Sequence, residues 1–73
     1  MPGNAPHMKL RIGYVFANIW KNEGSNGDWY NVTIERSYRD DDGNIKSTDS
    51  LGPGDLLNAV KLLQRAEELI FGL

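Results

Sequence analysis

Residues 9–21, KLRIGYVFANIWK, place two apolar rows on one strand, and this constrains the fold more than any other stretch of the 73-residue chain. The segment is rich in β-branched and aromatic residues and lacks the three- and four-residue spacing of a one-faced helix. Side chains alternate across a strand, so Val15, Ala17 and Ile19 form one row, while Tyr14, Phe16 and Trp20 form the other with only Asn18 intervening. A sheet built on this strand therefore needs cover on both faces. Gly13 has no side chain to pack, which predicts a bend or bulge dividing a short first strand from a longer second one.

One segment has the pattern to supply helical cover. From Asp55 onward, Leu56, Ala59, Val60, Leu63, Ala66, Leu69 and Ile70 recur at helical spacing, with Asp55 placed to cap the helix and Gly72 to end it. Leu57 and Leu62 widen the apolar surface, which predicts a helix touching more than its own sheet. Upstream, WYNVTIERSYR (29–39) alternates cleanly: Tyr30, Val32, Ile34, Arg36 and Tyr38 share one face, and Trp29, Asn31, Thr33, Glu35, Ser37 and Arg39 the other. KNEGSNGD (21–28) concentrates turn formers and predicts a polar, mobile connection. NIKSTDS (44–50) reads as a short edge strand ended by LGPG. The expected architecture is α+β: an antiparallel meander of three to four strands followed by one C-terminal helix. One helix covers one face, so the aromatic face calls for a second chain or a ligand. A homodimer is the expected solution, with Phe16, Trp20, Leu57 and Leu62 at its interface.

YRDDDGNIKSTD (38–49) raises a different possibility, because Asp40, Asp42, Gly43, Ile45 and Asp49 fall in register with a calcium-binding loop. Tyr38 then occupies the first ligand position, and Asp49 stands where a longer glutamate is required. The flanks alternate with period two instead of forming helices. An Asp-Gly step between alternating segments is a hairpin signal, since glycine accepts the positive φ that tight turns need. The stretch is read as a turn, and no metal site is expected.

Residues 1–8, MPGNAPHM, read as a disordered leader or cloning remnant, leaving 9–73 as a single domain. A domain this small has little margin once chain ordering is set against hydrophobic burial. There are no cysteines and one histidine, His7. That removes disulfides and thiolate chemistry, fits a reducing cytoplasm, and leaves a histidine-based metal cluster or Ser-His-Asp triad unassembled within one chain. No apolar run is long enough to span a membrane. Neither an enzyme nor a cofactor is expected.

The succession RIGYVFANIWKNEG, YNVTIERSYRDDDGNIK and DLLNAVKLLQRAEELI resembles the single-stranded-DNA-binding domain of transcriptional coactivator positive cofactor four and its bacterial and phage relatives. The likeness runs over nearly all of Leu10 to Ile70 as a pattern, with Ile12-Gly13 and the Asp42-Gly43 turn as its best local echoes. IWKNE, YNVTIERSY and TDSLGPGDLL are also similar to segments of small bacterial proteins of undescribed function. The coactivator resemblance implies four antiparallel strands and a helix that dimerise, with strands of both subunits forming grooves for nucleic acid.

Charge distribution bears on that implication. Residues 9–39 carry a net +2 and residues 40–73 a net −4, together the overall −2. A basic strand half would focus single-stranded nucleic acid on the sheet, although the total is low for strong nonspecific binding at physiological salt. Candidate nucleic-acid contacts are Lys9, Arg11, Lys21, Arg36, Arg39 and Lys46 for phosphates, with Trp29 and Tyr38, alongside Trp20, for base stacking. The alternative is a homo-oligomeric protein-interaction module with no nucleic-acid activity.

Overall fold

A computed structural model describes residues 5–72. Strands β1 (Met8–Ile12), β2 (Val15–Gly24), β3 (Gly27–Arg39) and β4 (Ile45–Thr48) precede a single 3₁₀ turn at Pro53–Asp55 and helix α1 (Leu56–Phe71). The strands form one antiparallel sheet in the order β1-β2-β3-β4. This is the expected α+β meander with four strands. β1 starts one residue inside the stretch read as a leader: Met8 is half-buried opposite Ile19, and the His7 ring tilts against Tyr30 at 5.7 Å. The leader expectation for residues 1–4 lies outside the described residues.

Gly13 does more than bend the chain. With φ at 61° it takes the left-handed conformation open to glycine, and Gly13-Tyr14 reverses the chain between β1 and β2. The mobile connection expected at 21–28 is instead mostly strand. Pairing continues out to Gly24 opposite Gly27, so the loop shrinks to Ser25-Asn26. Turn-forming composition was outweighed there by hydrogen bonds that keep zipping the hairpin. The loop at 40–44 is closed by Asp40 N–H donating to Asn44 O at 2.9 Å and Gly43 N–H to Asp40 O at 3.0 Å, with Gly43 at φ 83°. The Asp40 carboxylate accepts from the Asn44 and Asp42 N–H groups at 2.9 Å each. It is spent organising its own turn.

Pairing register sorts every strand residue to a face. Leu10, Ile12, Val15, Ala17, Ile19, Val32 and Ile34 lie toward α1, where Val15, Ala17, Ile19, Ala59, Leu62 and Ala66 are buried. α1 packs chiefly on β2 and β1 and only marginally on β3. Its sheet-facing stripe is rotated within the expected set: Ala59 and Ala66, both of that set, point inward with Leu62, while Leu56, Val60 and Leu63 are exposed. Ala59 and Leu62 pack with Val15 and Ala17 in one buried cluster, where Leu62 supplies most of the helix's filling volume. Leu62 is thus a core residue of its own chain, not an interface residue, as its 3% exposure shows.

The helix start also differs in detail. Asp55 makes no side-chain cap; its Oδ2 accepts from Gly52 N–H at 2.9 Å and pairs with Arg36 Nε at 3.3 Å. Gly72 does end the helix, at φ −90°, with its N–H donating to Glu68 O at 3.1 Å.

Candidate nucleic-acid interface

The face of the sheet turned away from α1 is uncovered in the monomer. By register it carries Lys9 and Arg11 on β1, Phe16, Asn18, Trp20 and Asn22 on β2, Trp29, Asn31, Thr33, Glu35, Ser37 and Arg39 on β3, and Ile45 and Ser47 on β4. Aromatic side chains are spread along its length. Trp29, 53% exposed, lies across Gly24, where an added Cβ would come within 2.7 Å of the ring. A side chain at Gly24 would force the indole to shift from its place against the strand. The Trp20 Nε1–H donates to Thr33 Oγ1 at 2.9 Å, fixing that ring above β3. Phe16 is flanked by two cations, with Lys9 Nζ 4.9 Å and the Arg11 guanidinium carbon 5.5 Å from its centroid.

One end of this face deepens into a concavity of about 530 Å³, lined by Arg11, Tyr14, Phe16, Ser37, Arg39 and Ile45 together with parts of Arg36 and Tyr38. Its two open-face guanidiniums are tethered to backbone carbonyls: Arg11 Nε–H to Gly13 O at 2.8 Å, and Arg39 Nη1–H to Gly43 O at 3.1 Å. Each arginine spends one N–H group in this way and is held in position with further donors in hand. Tyr14 and Ile45, 70% and 71% exposed, supply apolar walls. Glu35 is the one acid among the open-face strand residues, and Lys9 Nζ stands 3.7 Å from its Oε1.

This arrangement divides the sequence-derived candidates. Lys9, Arg11, Trp29 and Arg39 come together on the open face. Lys21, Arg36, Tyr38 and Lys46 fall on the helix side, where Lys21 pairs with Asp28 at 3.5 Å, Arg36 with Asp55 at 3.3 Å and Lys46 with Asp40 at 3.3 Å. The physical reason is parity, because neighbouring strand positions point to opposite faces. The supposed interface residues divide as well. Phe16 and Trp20 lie on the open face, Leu57 is on the solvent side of α1, and Leu62 is in the core. Tyr14, Ser37 and Ile45 join the site only through the fold, where the β1–β2 turn meets β3, with Ser37 N–H donating to Tyr14 O at 2.9 Å, and β4 lies beside it.

Hydrogen bonding from the Asn44 N–H holds the Asp40 carboxyl below its usual value, with Lys46 and the Asp42 and Gly43 amides acting in the same direction against a desolvation effect. Among the described residues no group of three or more His, Asp or Glu side chains is gathered to hold a metal ion. No helix among them is long and apolar enough to cross a membrane. Compared with known proteins, the chain matches no family, no curated protein and no solved structure.

Proposed function

We propose that this chain is a small dimeric module that binds single-stranded nucleic acid, DNA in particular, on the open face of its sheet, as an accessory in transcription or replication. The carrying observation is charge segregation by face: Lys9, Arg11 and Arg39 share the open face with Phe16, Trp20 and Trp29, while Glu35 is its one strand acid. Cations along a strand track answer phosphates, and the exposed Trp29 ring, with the half-buried Phe16 and Trp20 beside it, offers stacking worth about 1–3 kcal/mol per base. The role is binding, not catalysis, and a cytoplasmic setting goes with it.

Arg11 and Arg39 are the phosphate contacts not already paired with an acid, and they set a measurable expectation. For single strands the logarithm of affinity falls against the logarithm of salt with a slope of about −0.7 per contact, here about −1.4. Fluorescence anisotropy with a labelled oligonucleotide at several salt concentrations measures it. Arg39→Ala should reduce the slope by about 0.7, whereas Trp29→Ala should weaken binding and leave the slope alone. Absence of binding to any oligonucleotide at low salt refutes the proposal.

A second reading, self-association without nucleic-acid activity, is favoured by the exposed apolar stripe of Leu56, Val60 and Leu63 on α1, flanked by Leu57 and Phe71. A dimer closed through this stripe leaves the open face free, so self-association also fits the first reading. Sedimentation should then give a dimer that Leu63→Glu converts to monomer, while Trp20→Ala leaves it intact. Loss of the dimer on Trp20→Ala alone would put the interface on the open face and favour the second reading.

A further inference from the structure

The middle of the open face carries polar groups that phosphate binding does not use. Asn18 is 4% exposed and sits between Phe16 and Trp20 on β2. Its Nδ2 donates to Glu35 Oε1 at 3.3 Å, with a longer contact to Thr33 Oγ1 at 3.5 Å. A carboxylate only accepts, so this contact fixes which end of the amide is nitrogen. The other end, Oδ1, is buried with no donor. Buried acceptors are nearly always paired, so an unpaired one at the centre of a binding face points to a donor supplied from outside.

Other groups converge there. Lys9 stands directly opposite Asn18 in the register, and its Nζ approaches the same Glu35 oxygen at 3.7 Å. Because Lys9 lies on β1 and Glu35 on β3, their pair spans β2 over Asn18 and Phe16. Half of the Lys9 side chain is exposed, and an ion pair this open is weak enough for a ligand to displace the stem. With Lys9 turned toward a ligand, one ammonium donor and two acceptors, the Glu35 carboxylate and Asn18 Oδ1, would face it between Phe16 and Trp20; Oδ1 is reached only in that opened arrangement.

We infer that this cluster recognises guanine within a bound single strand, an inference resting on the nucleic-acid reading above. The exposed pairing edge of guanine offers one acceptor, O6, and two donors, N1–H and the 2-amino group. Lys9 donates to O6, Glu35 accepts from N1–H, and Asn18 Oδ1 receives the 2-amino hydrogen. Thymine offers a carbonyl where guanine has its amino group, setting acceptor against acceptor at Asn18. Cytosine presents one donor with two acceptors, and adenine lacks the carbonyl that Lys9 requires. Phe16 and Trp20 supply stacking that every base shares, so the selectivity resides in the polar trio.

Oligothymidine carrying one central guanine, inosine or thymine, titrated by fluorescence anisotropy at low salt, tests this directly. Inosine lacks only the 2-amino group. Guanine should bind about fivefold or more tighter than thymine, with inosine between them. Asn18→Leu should abolish the guanine–inosine difference. Binding of all three within about twofold overturns the inference, as does a guanine–inosine gap that survives in Asn18→Leu. The comparison on the unaltered chain stands even where that variant folds poorly. Failure of every oligonucleotide to bind removes the nucleic-acid reading and this inference with it, whereas binding without base preference removes this inference alone.

Discussion

Leu62 and Leu63 are adjacent on α1, yet one is 3% and the other 45% exposed, and this contrast gives the sharpest test of how the helix is seated. Leu62 packs with Val15, Ala17 and Ala59. Two of those neighbours are alanines, which have nothing to fold into a void, so Leu62→Ala should retain most of its cavity and cost about 3 kcal/mol, within the usual 2–5 for such changes. A domain of this length is expected to hold about 4–11 kcal/mol in all. The substitution should therefore lower Tm by about 12–24 °C. Leu63→Gln, at a surface position, should cost about 0.5 kcal/mol or less in the folded monomer. Urea unfolding followed by Trp20 and Trp29 fluorescence reads both variants, and a dilution series separates monomer stability from any contribution of self-association. Equal losses for the two variants in dilute monomer would refute the rotated packing of α1.

Further outcomes follow from the turns and one ion pair. Gly13→Ala should cost about 1–2 kcal/mol, since φ is 61° and a new Cβ would meet only Asn58 Nδ2 at 3.7 Å; the cost is conformational, and an unchanged urea midpoint would contradict it. The Asp40 carboxyl is held below its ordinary 3.8. Its stabilisation of the 40–44 loop should be complete above that ordinary value and lost as pH falls through the lower folded value. NMR titration of the side-chain carboxyl checks this, and a midpoint at or above 3.8 would reverse the sign. A double-mutant cycle on Arg36→Ala and Asp55→Ala should give a coupling of about 1 kcal/mol at most, because both side chains are partly exposed at a 3.3 Å separation. A coupling indistinguishable from zero would mean that the pair contributes nothing to joining α1 to β3.

Much of the fold was legible because alternation in β2 and β3 names two faces and one segment has helical period. The seating of α1 was less legible. Leu56-Val60-Leu63 and Ala59-Ala66 all fall in the expected stripe, and spacing alone does not choose which of them meets the sheet. The structure buries Ala59 and Ala66 with Leu62, and Ala59 and Leu62 pack with Val15 and Ala17. The 21–28 segment misled for a related reason: glycine, serine, asparagine and aspartate favour turns, but the hairpin ladder carries β2 and β3 through most of them. For the site, parity within β3 already set Arg39 and Glu35 apart from Arg36 and Tyr38. Adding Lys9 and Arg11 to that face required the length of the Gly13-Tyr14 turn, since a one-residue slip would send both to the other side.

Strand β2 serves both halves of the protein. Its odd positions, Val15, Ala17 and Ile19, are fully buried beneath α1, while its even positions, Phe16, Asn18 and Trp20, form the middle of the open face. Substitutions along this one strand should therefore alternate in kind. Odd positions should change unfolding free energy and, through it, everything else; ring removal at Phe16 or Trp20 should change ligand affinity more than stability. Asn18 is the instructive exception, being both buried and on the open face. Replacing it by leucine removes an unpaired buried acceptor, and with it a desolvation cost, but leaves Glu35 without one of its donors. The two effects oppose each other in stability, whereas for ligand recognition only a loss is available. A variant that keeps its unfolding midpoint while losing base discrimination would locate the role of Asn18 in the ligand complex and not in the fold.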